Sequence, residues 1–154
     1  MGLIDAKLAA MGIVLPTPMA PVANYVPFVI SGDIVVVSGQ LPMRDGALVA
    51  TGKLGDAVSV ETGTLCAHWC FINLMAQLRV ACGGDLDRVA QVIRLGGYIA
   101  SVPSFTAQAG VMNGASNLAV EVFGDAGRHA RTTIGVPVLP LDAAVEVEGM
   151  FRIA

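Results

Sequence analysis

Residues 57–82 carry one long helical pattern, and it limits most of what the chain can become. Leu65, Trp69, Ile72 and Ala76 recur on one face, while Phe71, Leu74, Leu78 and Cys82 widen it into a broad apolar stripe. Gly83-Gly84 stops the helix. A stripe this wide has to be buried against another layer, and the remainder of the chain offers strands.

Two β-runs, 25–30 and 33–38, flank Ser31-Gly32, a hairpin signal, and Ile34, Val35, Val36 and Val37 make the second run strongly β-forming. Residues 44–53 contain Asp45-Gly46 and Thr51-Gly52, which suit turns around one short strand. The Val- and Ile-rich stretch 87–100 predicts a long strand, with Gly96-Gly97 as a bulge. Pro103-Ser104 opens a second helix to about residue 123, which Gly124 to Gly127 end. Residues 131–138 and 143–153 are expected to close the chain as a hairpin around Leu139-Pro140-Leu141-Asp142. Ahead of all this, residues 5–11 form a short helix ended by Gly12 and followed by Pro16, Pro18 and Pro21. The expectation is a single α/β (α+β) domain over 1–154, with 1–19 a helix-and-linker extension. A mixed sheet of five to six strands would carry two helices on one face and leave the other uncovered.

Composition gives that open face a use. Hydrophobic residues make up 55% of the chain and charged residues only 14%, an apolar excess that subunit interfaces commonly absorb. No run of eighteen apolar residues occurs, and the stretch from Leu65 to Leu78 is broken by His68, Asn73 and Gln77, so no membrane span is expected. Net charge is −3 with the cations scattered singly from Lys7 to Arg152, which offers no track for nucleic acid. Three cysteines, an odd number, fit reduced thiols in a cytoplasmic protein. The opening residues lack the features of a targeting peptide.

Motif chemistry is sparse. Cys66, His68 and Cys70 are the only clustered soft ligands, and their spacing on a helix points them in different directions, so neither a metal nor another cofactor is expected. No nucleophile elbow, Walker loop or dinucleotide fingerprint is present. His129 reads as a surface residue at a helix end.

Two terminal signatures say more. The run Ala20-Pro21, Tyr25 and Gly32 to Pro42, which includes Ser38-Gly39-Gln40-Leu41-Pro42, resembles the opening of RidA (YjgF-type) proteins. Ala130-Arg131, Leu139-Pro140 and Val145-Glu146-Val147-Glu148 resemble that family's close. The resemblance covers about residues 20 to 152, and the leading helix and the insertion from Gly124 to Ala130 are similar to a longer-chain subgroup. It implies a chorismate-mutase-like fold, a homotrimer and clefts between subunits that hydrolyse 2-imino or enamino acids such as 2-aminoacrylate to keto acids and ammonia.

The same resemblance implies the site. Arg131 would grip the substrate carboxylate, as a planar guanidinium does well, and Glu146 would position the hydrolytic water. Tyr25 would close the cleft, Gly39 would admit a close backbone approach, and Asn113 would match a family asparagine. Thr133 stands where RidA proper has a cysteine. The plainer alternatives are an ion-paired Arg131, a solvated Glu146 or Glu148, and a core aromatic at Tyr25. A tight closing hairpin would also leave Glu146 roughly 13 Å along the strand from the residues opposite Arg131, so side-chain direction, a bulge or another subunit has to supply any proximity. Three functions follow: an imine/enamine deaminase, a trimer that binds small carboxylates or keto acids without turnover, and, last, an endoribonuclease or translation inhibitor, for which the charge pattern gives no support.

Overall fold

The long helix forms where the pattern puts it, as α2 (Val60–Ala81) in the computed structural model, which describes residues 1–18, 20–21 and 23–154. Ser59 caps it, its hydroxyl accepting the Thr62 N–H at 3.1 Å. From Cys70 to Leu78 every residue is buried, because strands cover one side of the helix and the second long helix, α3 (Gln108–Phe123), covers another. Leu65, one turn earlier, is 42% exposed and does not join the core face that its spacing suggested. Cys66, Cys70 and Cys82 are all buried. Burial pushes the Cys66 thiol up to about 11 and Cys70 well above its ordinary value, so both behave as packed apolar groups.

The main sheet contains β1 (Phe28–Ser31), β2 (Ile34–Gln40), β5 (Val89–Ala100), β6 (Ala130–Val136) and β7 (Val145–Ile153), in the spatial order β1-β2-β7-β5-β6. A separate hairpin pairs β3 (Met43–Arg44) with β4 (Ala47–Leu48). Asp45 and Gly46 form its tip with φ of 51° and 81°, the left-handed pair that a tight hairpin turn demands. Residues 44–53 therefore hold half a hairpin more than the single strand expected from their turns.

The closing hairpin is the expectation the structure overturns. β6 and β7 do not pair. β6 runs parallel to β5, with Leu95 opposite Arg131, and β7 lies on the other side of β5, antiparallel, with Leu95 opposite Gly149. Strand, helix, strand in sequence is the signature of a parallel crossover, since parallel neighbours need a long connection and α3 supplies it. The chain then passes through a short 3₁₀ turn, Pro140–Asp142, with Leu141 and Asp142 both at φ 58°, and inserts β7 between β2 and β5. Gly96-Gly97 is not a bulge either, because both registers run straight through it. These glycines make room on each face: a Cβ at Gly96 would lie 2.7 Å from Glu148 Oε1, and one at Gly97 would lie 2.5 Å from Met112 Sδ.

Alternation sorts the residues. Val145, Val147, Phe151 and Ile153 of β7 are buried under the helices, whereas Glu146, Glu148 and Met150 point to the face that no helix covers. That face also carries Val36, 43% exposed, and Ile134, 47% exposed. No helix among the described residues is long and apolar enough to cross a membrane.

The leading helix α1 (Leu3–Ala10) begins earlier than its apolar spacing suggested, because a distant carboxylate holds its start. Asp87, in the turn before β5, accepts the N–H groups of Leu3 and Ile4, both at 2.8 Å, and Arg79 of α2 reaches Asp5 at 3.5 Å. Gly2 is required there: a Cβ would sit 2.9 Å from Asp87 Oδ2. The two N–H groups hold the Asp87 carboxyl below its ordinary value. A depressed carboxylate contributes above its unfolded value, near 3.9, and that contribution is lost as pH falls through the folded one. Asp87→Ala should therefore speed amide exchange across residues 3–10 while leaving α2 protected, and acidification below about pH 4 should do the same to the unmutated chain. Unchanged exchange in α1 would show that Asp87 does not hold it.

Candidate functional site

The residues singled out from sequence fall into two groups on opposite faces of the sheet. Arg131, on edge strand β6, points under α3. Its Nη1 donates to Asn113 Oδ1 at 2.8 Å and to Ser116 Oγ at 3.1 Å, and its Nη2 donates to the Ala109 carbonyl at 3.1 Å. The three acceptors sit at positions i, i+4 and i+7 of α3, one helix face aimed at one guanidinium. All three are neutral. The ion pairs among the described residues join Arg44 to Asp45, Arg79 to Asp5, Arg94 to Glu148 and Arg128 to Asp125, and none includes Arg131. Its charge is held in place without being cancelled. Asn113 thus lies beside Arg131.

Thr133 follows two residues on, on the same face as Arg131 and opposite Gly97. Its Oγ1 is buried and has no hydrogen-bond partner among the described residues. A buried hydroxyl left unpaired costs on the order of 1–3 kcal/mol, so its place calls for a partner. Ser116 and His129 complete this group. His129 Nδ1 lies 2.6 Å from the Gly127 carbonyl, and Nε2 lies 2.8 Å from Ser116 Oγ. With Asn113, Asn117, Arg128 and Arg131 they line an open depression of about 270 Å³.

The second group faces the other way. β2 bulges between Val37 and Gln40, so two residues, Ser38 and Gly39, oppose one position of β7. The bulge drops Gly39 under Glu146, whose carboxyl occupies the very space a Cβ at Gly39 would take. Gly39 therefore has a job beyond the close backbone approach that the sequence suggested: it seats Glu146. Gly39 and Tyr25 together line a cavity of about 120 Å³ that reaches Gln40, Leu41, Asn73 and Gln77. Tyr25 lies in a bend ahead of β1, 46% exposed, and is not a core aromatic at the start of a strand. Ser38 fastens that bend to the bulge, its hydroxyl donating to the Val26 carbonyl at 2.8 Å.

Glu146 and Glu148 share the open face and are set apart by their neighbours. Glu148 accepts the Tyr98 hydroxyl at 3.0 Å and pairs with Arg94 at 3.5 Å. Glu146 has neither kind of partner among the described residues; burial, and then the charge of Glu148, raise its carboxyl above the ordinary glutamate value. A carboxyl raised by burial and by a like charge beside it is an arrangement that suits a group exchanging protons. The solvated alternative for Glu146 does not describe this environment.

One subunit cannot bring Arg131 and Glu146 together. Arg131 lies level with Leu95 and Gly149, and Glu146 lies level with Tyr98, two strands away. Three residues along and two strands across put the two backbones roughly 14 Å apart. The side chains then diverge to opposite faces. No cluster of three His, Cys, Asp or Glu side chains able to hold a metal ion occurs among the described residues.

The whole architecture has known counterparts. Residues 5–151 match the family described as "YjgF/chorismate mutase-like, putative endoribonuclease". The chain belongs to that family. A YjgF-family chain of this length resembles Protein TCP17 of Trypanosoma cruzi, 45% identical over 153 residues, which span 99% of this chain and 95% of the relative. Among solved structures, Atu1372 of Agrobacterium tumefaciens, described as of unknown function, is 44% identical with a TM-score of 0.92, over 98% of this chain and 92% of that one. A protein of Shewanella oneidensis, described as "a putative endoribonuclease", is 35% identical with a TM-score of 0.94, over 97% and 99% of the two chains. The mixed sheet with helices on one face is thus the YjgF, chorismate-mutase-like fold.

Sequence reasoning missed Ser116 and the hydrogen bonds that His129 makes. The signal was there: positions 129, 131 and 133 alternate onto one strand face, and Ser116 follows Asn113 by three residues on a helix. Both patterns became visible only once β6 was placed under α3. For the second group, Gly39→Ala should cost about 1–3 kcal/mol by overpacking against Glu146. Glu146→Ala in the same chain should recover most of that loss, a coupling readable from denaturant melts. Additive losses would show that the two residues do not touch.

Proposed function

We propose that this YjgF-family protein is a RidA-type enamine/imine deaminase whose site forms between the subunits of a homotrimer. The observation that carries the reading is the uncancelled guanidinium of Arg131, oriented by three neutral acceptors on α3. An arginine built to be pointed and left unpaired suits an anionic ligand. Its Nε and one Nη2 hydrogen have no partner among the described residues and can take a carboxylate.

The opposite facing of the two groups supports a composite site. In an assembly, the β6 edge of one subunit, with Arg131, Asn113 and Thr133, would meet the open face of the next, with Tyr25, Gly39 and Glu146. The uncovered face of the sheet, where Val36 and Ile134 are exposed beside the two glutamates, offers the contact. In such a cleft Arg131 holds the carboxylate of a 2-imino acid and Glu146 takes a proton from water as it adds to the imine carbon. Glu146 returns that proton to the nitrogen of the tetrahedral adduct and then carries the adduct's hydroxyl proton to the same nitrogen, so that the C–N bond breaks to release ammonia and the keto acid remains. Thr133 offers its unpaired hydroxyl to the same ligand. No cofactor is needed for these steps.

A second reading keeps the ligand and drops the turnover: a trimer that captures small carboxylates or keto acids. The separation of Arg131 from Glu146 within one subunit favours it if the interface seats them apart. The endoribonuclease description attached to the family has less support here, because four of the arginines are already ion-paired and the cations are scattered singly along the sequence.

Ammonia release from freshly generated 2-aminoacrylate tests the enzyme. Arg131→Ala should lower turnover about a hundredfold, the usual loss on removing a charge-matched donor. Arg131→Lys should lose most pyruvate affinity although the charge remains, because an ammonium lacks the parallel fork. Glu146→Gln should bind pyruvate normally and lose turnover. Since Glu146 is raised, turnover limited by its ionised form should fall on acidification at a pH above the ordinary glutamate range, and Glu148→Gln should move that limb down by removing the like charge. Turnover that stays near the unmutated level in Arg131→Ala removes the reading. Binding of pyruvate with no ammonia from any imine leaves the binding trimer.

A further inference from the structure

The contacts of His129 have a fixed direction. A carbonyl oxygen only accepts, so the 2.6 Å contact to Gly127 places the ring hydrogen on Nδ1. The neutral ring then presents a bare Nε2 to Ser116, whose hydroxyl must donate across the 2.8 Å gap. Ser116 Oγ in turn accepts the Arg131 Nη1 hydrogen at 3.1 Å. The donors line up from Arg131 to Ser116 to His129 to the backbone. Gln91 holds the segment that carries the ring, donating to the Arg128 carbonyl at 2.6 Å and the Ala126 carbonyl at 3.1 Å.

A proton added to Nε2 reverses the middle of that chain. The ring becomes a donor to Ser116 Oγ, and the serine hydrogen loses its acceptor. The oxygen can still accept from both Arg131 and His129, because it has two lone pairs. Its hydrogen needs a new partner, and an anion seated on Arg131 lies within reach. Charge works in the same direction. The charged groups near the ring are Arg128 and Arg131, which line the same depression, and Asp125 in the turn before it, whereas Glu121 of α3 lines a different depression with His68 of α2. Asp125 is paired to Arg128 at 3.5 Å, and β5 contributes only Arg94, which is committed to Glu148 on the other face. A second cation beside Arg131 is repelled by it until an anion arrives between them.

We propose that Ser116 and His129 complete the anion site at Arg131, so that a carboxylate is captured together with a proton taken up at His129. This rests on the carboxylate-gripping role given to Arg131 above. Ser116 and His129 act here as residues that position and bias Arg131, and the site prefers anions that bring or meet a proton, as a carboxylate next to a basic imine nitrogen does.

Pyruvate is the probe, titrated calorimetrically at about pH 8 and about pH 5.5 in the Glu146→Gln background, which removes the other titrating group assigned to the cleft. Affinity should rise about tenfold at the lower pH, the equivalent of one pKa unit of coupling. His129→Gln, which keeps an acceptor for Ser116 but cannot titrate, should bind equally at both pH values, at the level seen at pH 8. Ser116→Ala, a change that helices tolerate, should flatten the pH response as well. Proton NMR of the His129 ring in the chain with native Ser116 and His129 gives a second reading: saturating pyruvate should move its titration to higher pH. Equal affinity at both pH values, a gradient that persists in His129→Gln, or a ring titration that ignores pyruvate overturns this proposal and leaves the grip of Arg131 standing. No pyruvate binding at either pH removes that grip as well.

Discussion

β7 lies in the middle of the sheet, and the placement of every candidate residue depends on its insertion there. Had residues 130–136 and 145–153 paired as a hairpin, Arg131 and Glu146 would have sat on adjacent strands. Instead β5 separates them, and the alternation of side chains sends one beneath the helices and the other to the uncovered face. The hydrophobic demand of α2 fixes this arrangement. Every residue of it from Cys70 to Leu78 is buried, and Val145 and Val147 of β7, together with Val35 and Val37 of β2, fill the space beneath it. A β7 shifted by one residue would turn Glu146 and Glu148 into that core, where an unpaired carboxylate is very costly.

The two faces solve different electrostatic problems. Under α3, Arg131 is surrounded by neutral oxygens that set its direction and leave its charge available. On the open face two carboxylates crowd each other, and the structure commits Tyr98 and Arg94 to Glu148 alone. Glu146 is left as the half-buried carboxyl with the raised affinity for protons. Gly39 and Gly96 make this crowding possible, since each lacks the Cβ that would strike a glutamate side chain. A guanidinium whose charge is not cancelled and a carboxyl with raised proton affinity are thus both present in one chain, on opposite faces of one sheet.

Much of the fold was legible in the sequence because its signals are local. The stripe of α2, the stop at Gly83-Gly84, the β-branched run of β2 and the element order all follow from short-range periodicity. The pairing of β6 with β5 was not legible in the turn residues 139–142, whose proline and aspartate suit a hairpin and a 3₁₀ turn alike. The bulge expected at Gly96-Gly97 failed for a related reason: these glycines answer to Glu148 and Met112, residues distant in sequence. At the site, Asn113 and Arg131 could be matched by motif, whereas Ser116, His129 and the seat of Glu146 on Gly39 required the packing of α3 and the bulge of β2.

The central claim is that Arg131 of one subunit works with Glu146 of another. Subunit complementation tests it most directly: Arg131→Ala and Glu146→Gln chains, each without turnover alone, are unfolded together in equal amounts and refolded as a mixture. If the site is composite, random assembly restores both native residues to roughly a quarter of the clefts, and ammonia release returns to about that fraction of the unmutated level. A mixture as inactive as its two components, with oligomer size unchanged and mixed assemblies present, would contradict the account.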